Sequence, residues 1–233
     1  MRSFSLTGPA LATNPDRFKL VRVQPKRLEF LSTERSLEIC ILAGGSSSRM
    51  GRDKAKIRLG RLSLLGTIRR EMKPLALPIK IIRDEPGGRR GPVGGVFAAM
   101  QSSRAEILIF LACDMPCVKR NLIIEMLESF TPDCRAIFIY DDGRAGFPFV
   151  LRRSTLPEVE LQLRQINPSL QRLARAVSAR FHGVTEAERG QLLNINSPAD
   201  LEAARAILGW RDSIENGERQ KYLGGGAPPL YQS

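Results

Sequence analysis

The chain has 233 residues, 42% of them hydrophobic, and a formal net charge of +12. That apolar content is enough for a core and excludes global disorder, while the positive field favours anionic ligands. Four cysteines with no CxxC pair exclude a disulfide scaffold, and one histidine, His182, excludes a histidine-based triad or a histidine-rich zinc site. No apolar run approaches the roughly 20 residues that span a bilayer, and the N-terminus has no signal-peptide core, so a cytoplasmic protein with buried, reduced thiols is expected.

Residues 1–36 hold seven basic and three acidic side chains with Pro9, Pro15 and Pro25 among them, and their periodicity is poor. An irregular basic N-terminal extension is expected, with a short strand near Leu20–Val23. Order is expected from Leu37, with a first strand over Glu38–Leu42. Small and basic residues follow, then a hydrophobic turn at Lys56–Leu59 broken by Gly60. Leu62, Leu65, Ile68 and Met72 have helical spacing, ended by Pro74 and Pro78. Ile79–Ile82 reads as a second strand, stopping at Asp84 and a glycine-rich turn. Pro92 opens a helix running to about Ser102.

Ile107–Leu111 is the strongest buried-strand signal, five apolar residues leading into Asp114 and stopped by Pro116. Lys119–Phe130 places Leu122, Ile123, Met126 and Leu127 on one side of a helix. Ala136–Tyr140 and Phe147–Leu151 read as strands joined by the turn DDGRAG. Helices are expected from Ser154 to about Arg164 and over Ser169–Val177, a strand over Ala179–Val184, and a short apolar stretch at Leu192–Ile195. Ser197 caps a last helix with Pro198 at its first position. From Gly209 the chain turns polar and Gly/Pro-rich, which reads as a flexible C-terminal tail over 209–233.

Strand and helix thus alternate across one domain, 37–208. The expected class is α/β, a mostly parallel sheet between two helical layers. Ligands of such sheets lie at the carboxyl ends of the strands. The first of those ends runs LAGGSSSRMGRDK, Leu42–Lys54. It is neither a Walker A motif nor a GxGxxG fingerprint. Gly44 and Gly45 let backbone N–H groups approach a ligand closely, and Arg49, Arg52 and Lys54 offer cations for phosphate oxygens. The alternative is a Gly-Gly turn with solvated basic residues. Asp114, at the end of the most apolar strand, suits Mg²⁺, which takes one or two carboxylates and fills its shell with phosphate and water; the alternative is a cap or ion-pair partner. Asp84 follows another apolar strand and would accept from a ribose or base edge, or else forms a turn. Asp53 orients its neighbouring cations. Asn194 and Asn196 present amides just before the last helix.

Four stretches, taken together, resemble the molybdenum cofactor guanylyltransferases. Leu42–Lys54 is similar to their LAGGxSxRMGxDK signature, and GPVGGVFAAM (Gly91–Met100) to their GPLGG helix start. LACDMP (Leu111–Pro116) is similar to their metal-aspartate strand end, and NINSPADL (Asn194–Leu201) to their NxNTPxDL. The resemblance implies a three-layer α/β/α nucleotidyltransferase fold of Rossmann-like design. It implies Mg²⁺-dependent transfer of GMP from GTP to the terminal phosphate of molybdopterin, with pyrophosphate released. Leu42, Ala43, Gly44, Gly45 and Asp84 would contact the nucleotide. Lys54 and Arg49 would hold its phosphates, Asp114 the metal, and Asn196 would lie near both. The partners implied are these small molecules, with transient contact to molybdoenzyme maturation proteins; a membrane or nucleic-acid partner is not expected. The stretch from Lys54 to Asp84 is shorter than the family's, and Phe147-Pro148 replaces a His-Pro or Gln-Pro pair. The same fold acting with CTP or another phosphorylated acceptor, or binding nucleotide without transfer, therefore stays open.

Overall fold

The computed structural model describes residues 36–44, 57–83 and 91–209. The N-terminal extension, the strand expected near Leu20–Val23 and the tail beyond Gly209 lie outside the described residues.

Strand β1 (Leu37–Leu42) is followed by a two-stranded hairpin, β2 (Arg58–Leu59) and β3 (Leu62–Ser63), turning at Gly60 with φ +63°. Helix α1 (Leu64–Met72) therefore begins two residues later than Leu62, the start its spacing predicts. Ser63 ends the hairpin and caps the helix, its Oγ accepting from the Gly66 N–H at 3.1 Å. Strand β4 (Ile79–Ile82), helix α2 (Gly91–Ser102), strand β5 (Ile107–Ala112) and helix α3 (Arg120–Glu128) follow, near their expected positions.

Strands β6 (Ala136–Asp141) and β7 (Arg144–Arg152) are joined more tightly than DDGRAG predicts. Asp142 and Gly143 take φ of +47° and +76°, the left-handed pair of a two-residue hairpin, so the strands run right up to the turn. Helix α4 (Leu156–Leu163) begins after a 3₁₀ turn over Arg153–Thr155 and not at Ser154. Thr155 is buried there, its hydroxyl donating to the Arg152 carbonyl at 2.8 Å. Helix α5 (Leu170–Ala176) starts from its Ser169 cap, then come strand β8 (Arg180–Gly183), helix α6 (Glu186–Arg189) and helix α7 (Pro198–Ile207). α6 has no counterpart among the expected elements, although Thr185 and Glu188 form a capping box that the sequence displays.

The six-stranded sheet has the order β4-β1-β5-β7-β6-β8, and only β7 runs against the rest. Both faces are covered, which is why β1 and β5 read as continuous apolar runs. Ile39, Ile41, Ile109 and Leu111 meet α1 and α3 through Ile68, Met72, Leu122 and Met126. On the other face Cys40, Leu42, Leu108 and Phe110 meet α2, α4 and α5 through Val96, Met100, Val159 and Leu173. A third, smaller cluster gathers Leu59, Leu64, Cys117, Ile195 and Ala204, fixing α7 to the β2–β3 hairpin. The expected mostly parallel sheet between two helical layers is the observed one. Among the described residues no helix is long and apolar enough to cross a membrane.

Candidate active site

From β1 the chain passes through α1 to β4 on one side, then through α2 to β5 on the other. The direction of winding reverses at β1, and in open sheets of this kind ligands bind beyond the carboxyl ends of the strands at such a reversal. Leu42, the last residue of β1, stands in register with Ile82 of β4 and Ala112 of β5. Three strand ends therefore deliver their following residues to one edge.

Backbone hydrogen bonds continue the sheet past those ends. The Ala43 N–H donates to the Ile82 carbonyl at 2.7 Å, and the Cys113 N–H to the Leu42 carbonyl at 3.0 Å. Leu42 is buried and Gly44 is exposed, so the chain emerges into solvent within two residues. Because the Ala43 N–H is already committed, a ligand at this edge meets Ala43 through its other atoms. Leu42 is further held by Gly95 of α2: a Cβ there would lie 3.2 Å from Leu42 Cδ1. A Cβ at that position would oblige the Leu42 side chain to give by a few tenths of an ångström.

Asp114 sits in a pair of tight turns after β5. The Met115 N–H donates to the Ala112 carbonyl at 3.2 Å and the Val118 N–H to the Met115 carbonyl at 3.4 Å. Its neighbours Cys113 and Met115 are buried and pin the turn, while Asp114 is only half-buried. The segment before α7 is tied to the same turn, for the Ile195 N–H donates to the Asp114 carbonyl at 2.8 Å. The structure thus brings together Leu42, Ala43, Gly44, Asp114 and Asn196 through main-chain bonds between segments remote in sequence. Gly45, Arg49, Arg52, Asp53, Lys54 and Asp84 lie outside the described residues.

Asp200 is absent from the residues the sequence reading singles out, although the S-x-x-D spacing of Ser197 and Asp200 is a capping-box signal. Its Oδ2 accepts from the Asn196 N–H at 2.9 Å and from the Ser197 N–H at 2.8 Å, and its own N–H returns a bond to Ser197 Oγ at 3.2 Å.

The four cysteines are buried and form no disulfide. Burial pushes the Cys40 thiol up to about 12 and that of Cys117 to about 11, so neither is a thiolate nucleophile at neutral pH. His182 lies on β8, separated from β5 by the two strands β7 and β6. Burial lowers its pKa, which keeps the imidazole neutral although Glu125 Oε2 is 3.9 Å from its Nε2. A cleft of about 450 Å³ between α4 and α5, lined by Gln162, Gln165, Arg172, Arg175 and Ala176, contains none of the candidate residues.

Comparison with known proteins agrees with this geometry. Residues 69–184 match the model of the MobA-like NTP transferase domain. A probable molybdenum cofactor guanylyltransferase from Opitutus terrae is 30% identical over 188 residues, spanning 71% of this chain and 93% of that protein. The crystal structure of molybdopterin-guanine dinucleotide biosynthesis protein A from Archaeoglobus fulgidus superposes with a TM-score of 0.63 at 20% identity, over 75% of this chain and 100% of the other. The 2-C-methyl-D-erythritol 4-phosphate cytidylyltransferase of Thermus thermophilus shares the fold at a TM-score of 0.56 and 15% identity, over 74% of this chain and 98% of its own. A three-layer sheet that reverses at β1, an aspartate after β5 and a relative aligned over nearly its whole length together lead to one assignment: the chain belongs to the MobA-like nucleotidyltransferase family.

Proposed function

We propose that the protein transfers GMP from GTP to the terminal phosphate of molybdopterin in a Mg²⁺-dependent reaction that releases pyrophosphate. The observation that carries this reading is the junction of the β1 end, Asp114 and the Asn196 segment at the winding reversal of the sheet. The similarity to the Opitutus terrae guanylyltransferase supports it.

Asp114 is the residue that would hold Mg²⁺. The donors at this edge are a half-buried carboxylate, an amide and main-chain carbonyls, all hard oxygen or neutral groups, and the nearby Cys117 thiol is buried and protonated. One carboxylate with a triphosphate fits the coordination habits of Mg²⁺. When bound, the ion supplies charge neutralisation on the leaving pyrophosphate. The protein's own work is positioning. The acceptor phosphate is already an anionic nucleophile at neutral pH, so no general base is needed and the remote, neutral His182 is no obstacle. Arg49 and Lys54 would bind phosphate oxygens, Leu42–Gly45 and Asp84 would hold the nucleoside, and the Asn196 amide would orient the reacting phosphates for in-line attack.

A second reading, the same transfer with CTP or onto another phosphorylated acceptor, is favoured by the short Lys54–Asp84 stretch, which reduces the structure available to choose a base. Thermal denaturation with Mg²⁺ and each of GTP, CTP, ATP and UTP separates the two. A nucleotide at 100 times its Kd stabilises by about 2.7 kcal/mol. GTP is expected to give the largest shift and to release pyrophosphate with molybdopterin; a larger shift with CTP would assign the second reading.

A further inference from the structure

We infer that Asp200 is a positioning residue of the active site, acting through Asn196 and not on substrate; the inference rests on the function proposed above. Three consecutive residues before α7 each have a committed backbone N–H. Ile195 is fully buried in the third core cluster, and its N–H is given to the Asp114 carbonyl at 2.8 Å. Asn196 and Ser197 both give their N–H groups to one carboxylate oxygen of Asp200, at 2.9 and 2.8 Å. Asn196 itself is exposed, and its backbone position is set by the bond to Asp200 behind it and by the buried Ile195 beside it.

An ordinary capping box uses the N3 carboxylate to satisfy the N-cap N–H alone. Here the same oxygen also takes the N–H of the residue before the cap, and that residue is Asn196. The second bond adds nothing to the intrahelical ladder of α7. It fixes the peptide plane that carries the Asn196 side chain, beside the turn that carries Asp114. The ten-residue helix is rooted by Ala204 in the cluster that also holds Ile195 and Cys117, so the carboxylate is delivered from a rigid element. Loss of the bond removes the contact that fixes this peptide plane and lets the Asn196 amide turn relative to the reacting phosphates.

The test uses the full chain with four variants, N196A, D200A, D200N and the double variant N196A/D200A. It reads pyrophosphate release with GTP and molybdopterin, the Kd of Mg²⁺-GTP and the melting temperature. Removing a positioning contact of this kind costs about 10–100-fold. D200A is expected to weaken Mg²⁺-GTP binding and turnover by that factor. D200N, whose amide oxygen still accepts both N–H groups, is expected to recover most of the loss. The double variant is expected to be no worse than N196A, because a residue that works through Asn196 has nothing left to position. A purely structural cap would lower the melting temperature without this coupling. Losses that multiply in the double variant, or an impaired N196A beside an unimpaired D200A, would overturn the inference alone. N196A with wild-type binding and turnover would overturn the functional reading and the inference with it.

Discussion

At the scale of single residues, the site separates chemistry from folding. Asp114 is held by a main-chain bond and by buried neighbours, which fix where its half-buried carboxylate stands. Asp114→Ala is expected to lower pyrophosphate release by about 10²–10³-fold, the usual loss for a single electrostatic stabiliser, while thermal unfolding changes by about 1 kcal/mol or less. Wild-type-like turnover in Mg²⁺ by this variant would end the assignment. His182 has the opposite character, without a part in the reaction but with a part in acid stability. Burial depresses its folded-state pKa below the ordinary 6.5. The unfolded chain therefore takes up the proton first as pH falls. The stability linked to this group is complete above pH 6.5 and is lost as pH drops toward the folded value. Glu125, raised by burial and by the charges of Glu188 and Glu128, behaves the other way: its contribution is present below the ordinary carboxylate value and is lost as pH rises. Melting temperatures of the wild type and His182→Gln, recorded downward from pH 7, are expected to diverge at pH 7 least and to show the flatter acid limb in the variant.

At the scale of elements, the contact between α2 and β1 has no side chain to spare. Gly95 lies against Leu42, with Cδ1 and Cδ2 only 3.2 and 3.3 Å from where a Cβ would stand. In an open helix interior, Gly→Ala gains roughly 0.5–1 kcal/mol; here the crowding of Leu42 offsets that gain, and Gly95→Ala is expected to be close to neutral. Gly95→Val overpacks the contact and is expected to cost about 1–3 kcal/mol in urea denaturation. It is also expected to weaken nucleotide binding, because Leu42 opens the loop at the site. This packing was not legible in the sequence, where Gly94 and Gly95 are interchangeable residues of one helical turn. The main elements were legible for physical reasons. β1 and β5 announce themselves as apolar runs too short for helices, and Pro74, Pro92 and Pro198 mark helix ends. Of the site, Asp114 was legible because a carboxylate ending the most apolar strand needs a purpose, and Asn196 because it precedes a capped helix. What escaped depends on distant contacts: the β2–β3 hairpin that delays α1, the Asp142-Gly143 turn that lengthens both of its strands, and the double duty of the Asp200 oxygen.

At the scale of the whole molecule, the sheet is two parallel sets joined by one antiparallel strand. β1 and β5 carry the described candidate residues Leu42, Ala43, Gly44 and Asp114 at their carboxyl ends; β6 and β8 carry none; β7 lies between. Phe149 of β7 holds the seam. Its ring stacks on Phe110 of β5 with centroids 4.9 Å apart and on Phe138 of β6 at 4.5 Å, and it meets Phe147 at 5.0 Å. All three of Phe110, Phe138 and Phe149 are fully buried. Deleting such a ring removes its burial and leaves a cavity, a loss of about 3–5 kcal/mol, which is a large share of the roughly 5–15 kcal/mol that keeps a domain folded. Phe149→Leu fills more of the space and loses less. Phe149 pairs with Phe110 inside β5, before the strand's carboxyl end at Ala112, so the damage falls on the body of the sheet and not on the strand ends. Phe149→Ala is therefore expected to lower the urea midpoint sharply, yet to turn over near the wild-type rate at about 15 °C, close to the temperature of maximum stability. This is the mirror image of Asp114→Ala, which keeps the midpoint and loses the rate. A Phe149→Ala variant with an unchanged midpoint would show that the two strand sets are held together elsewhere; one with an unchanged fold but no turnover would show that the seam reaches the site.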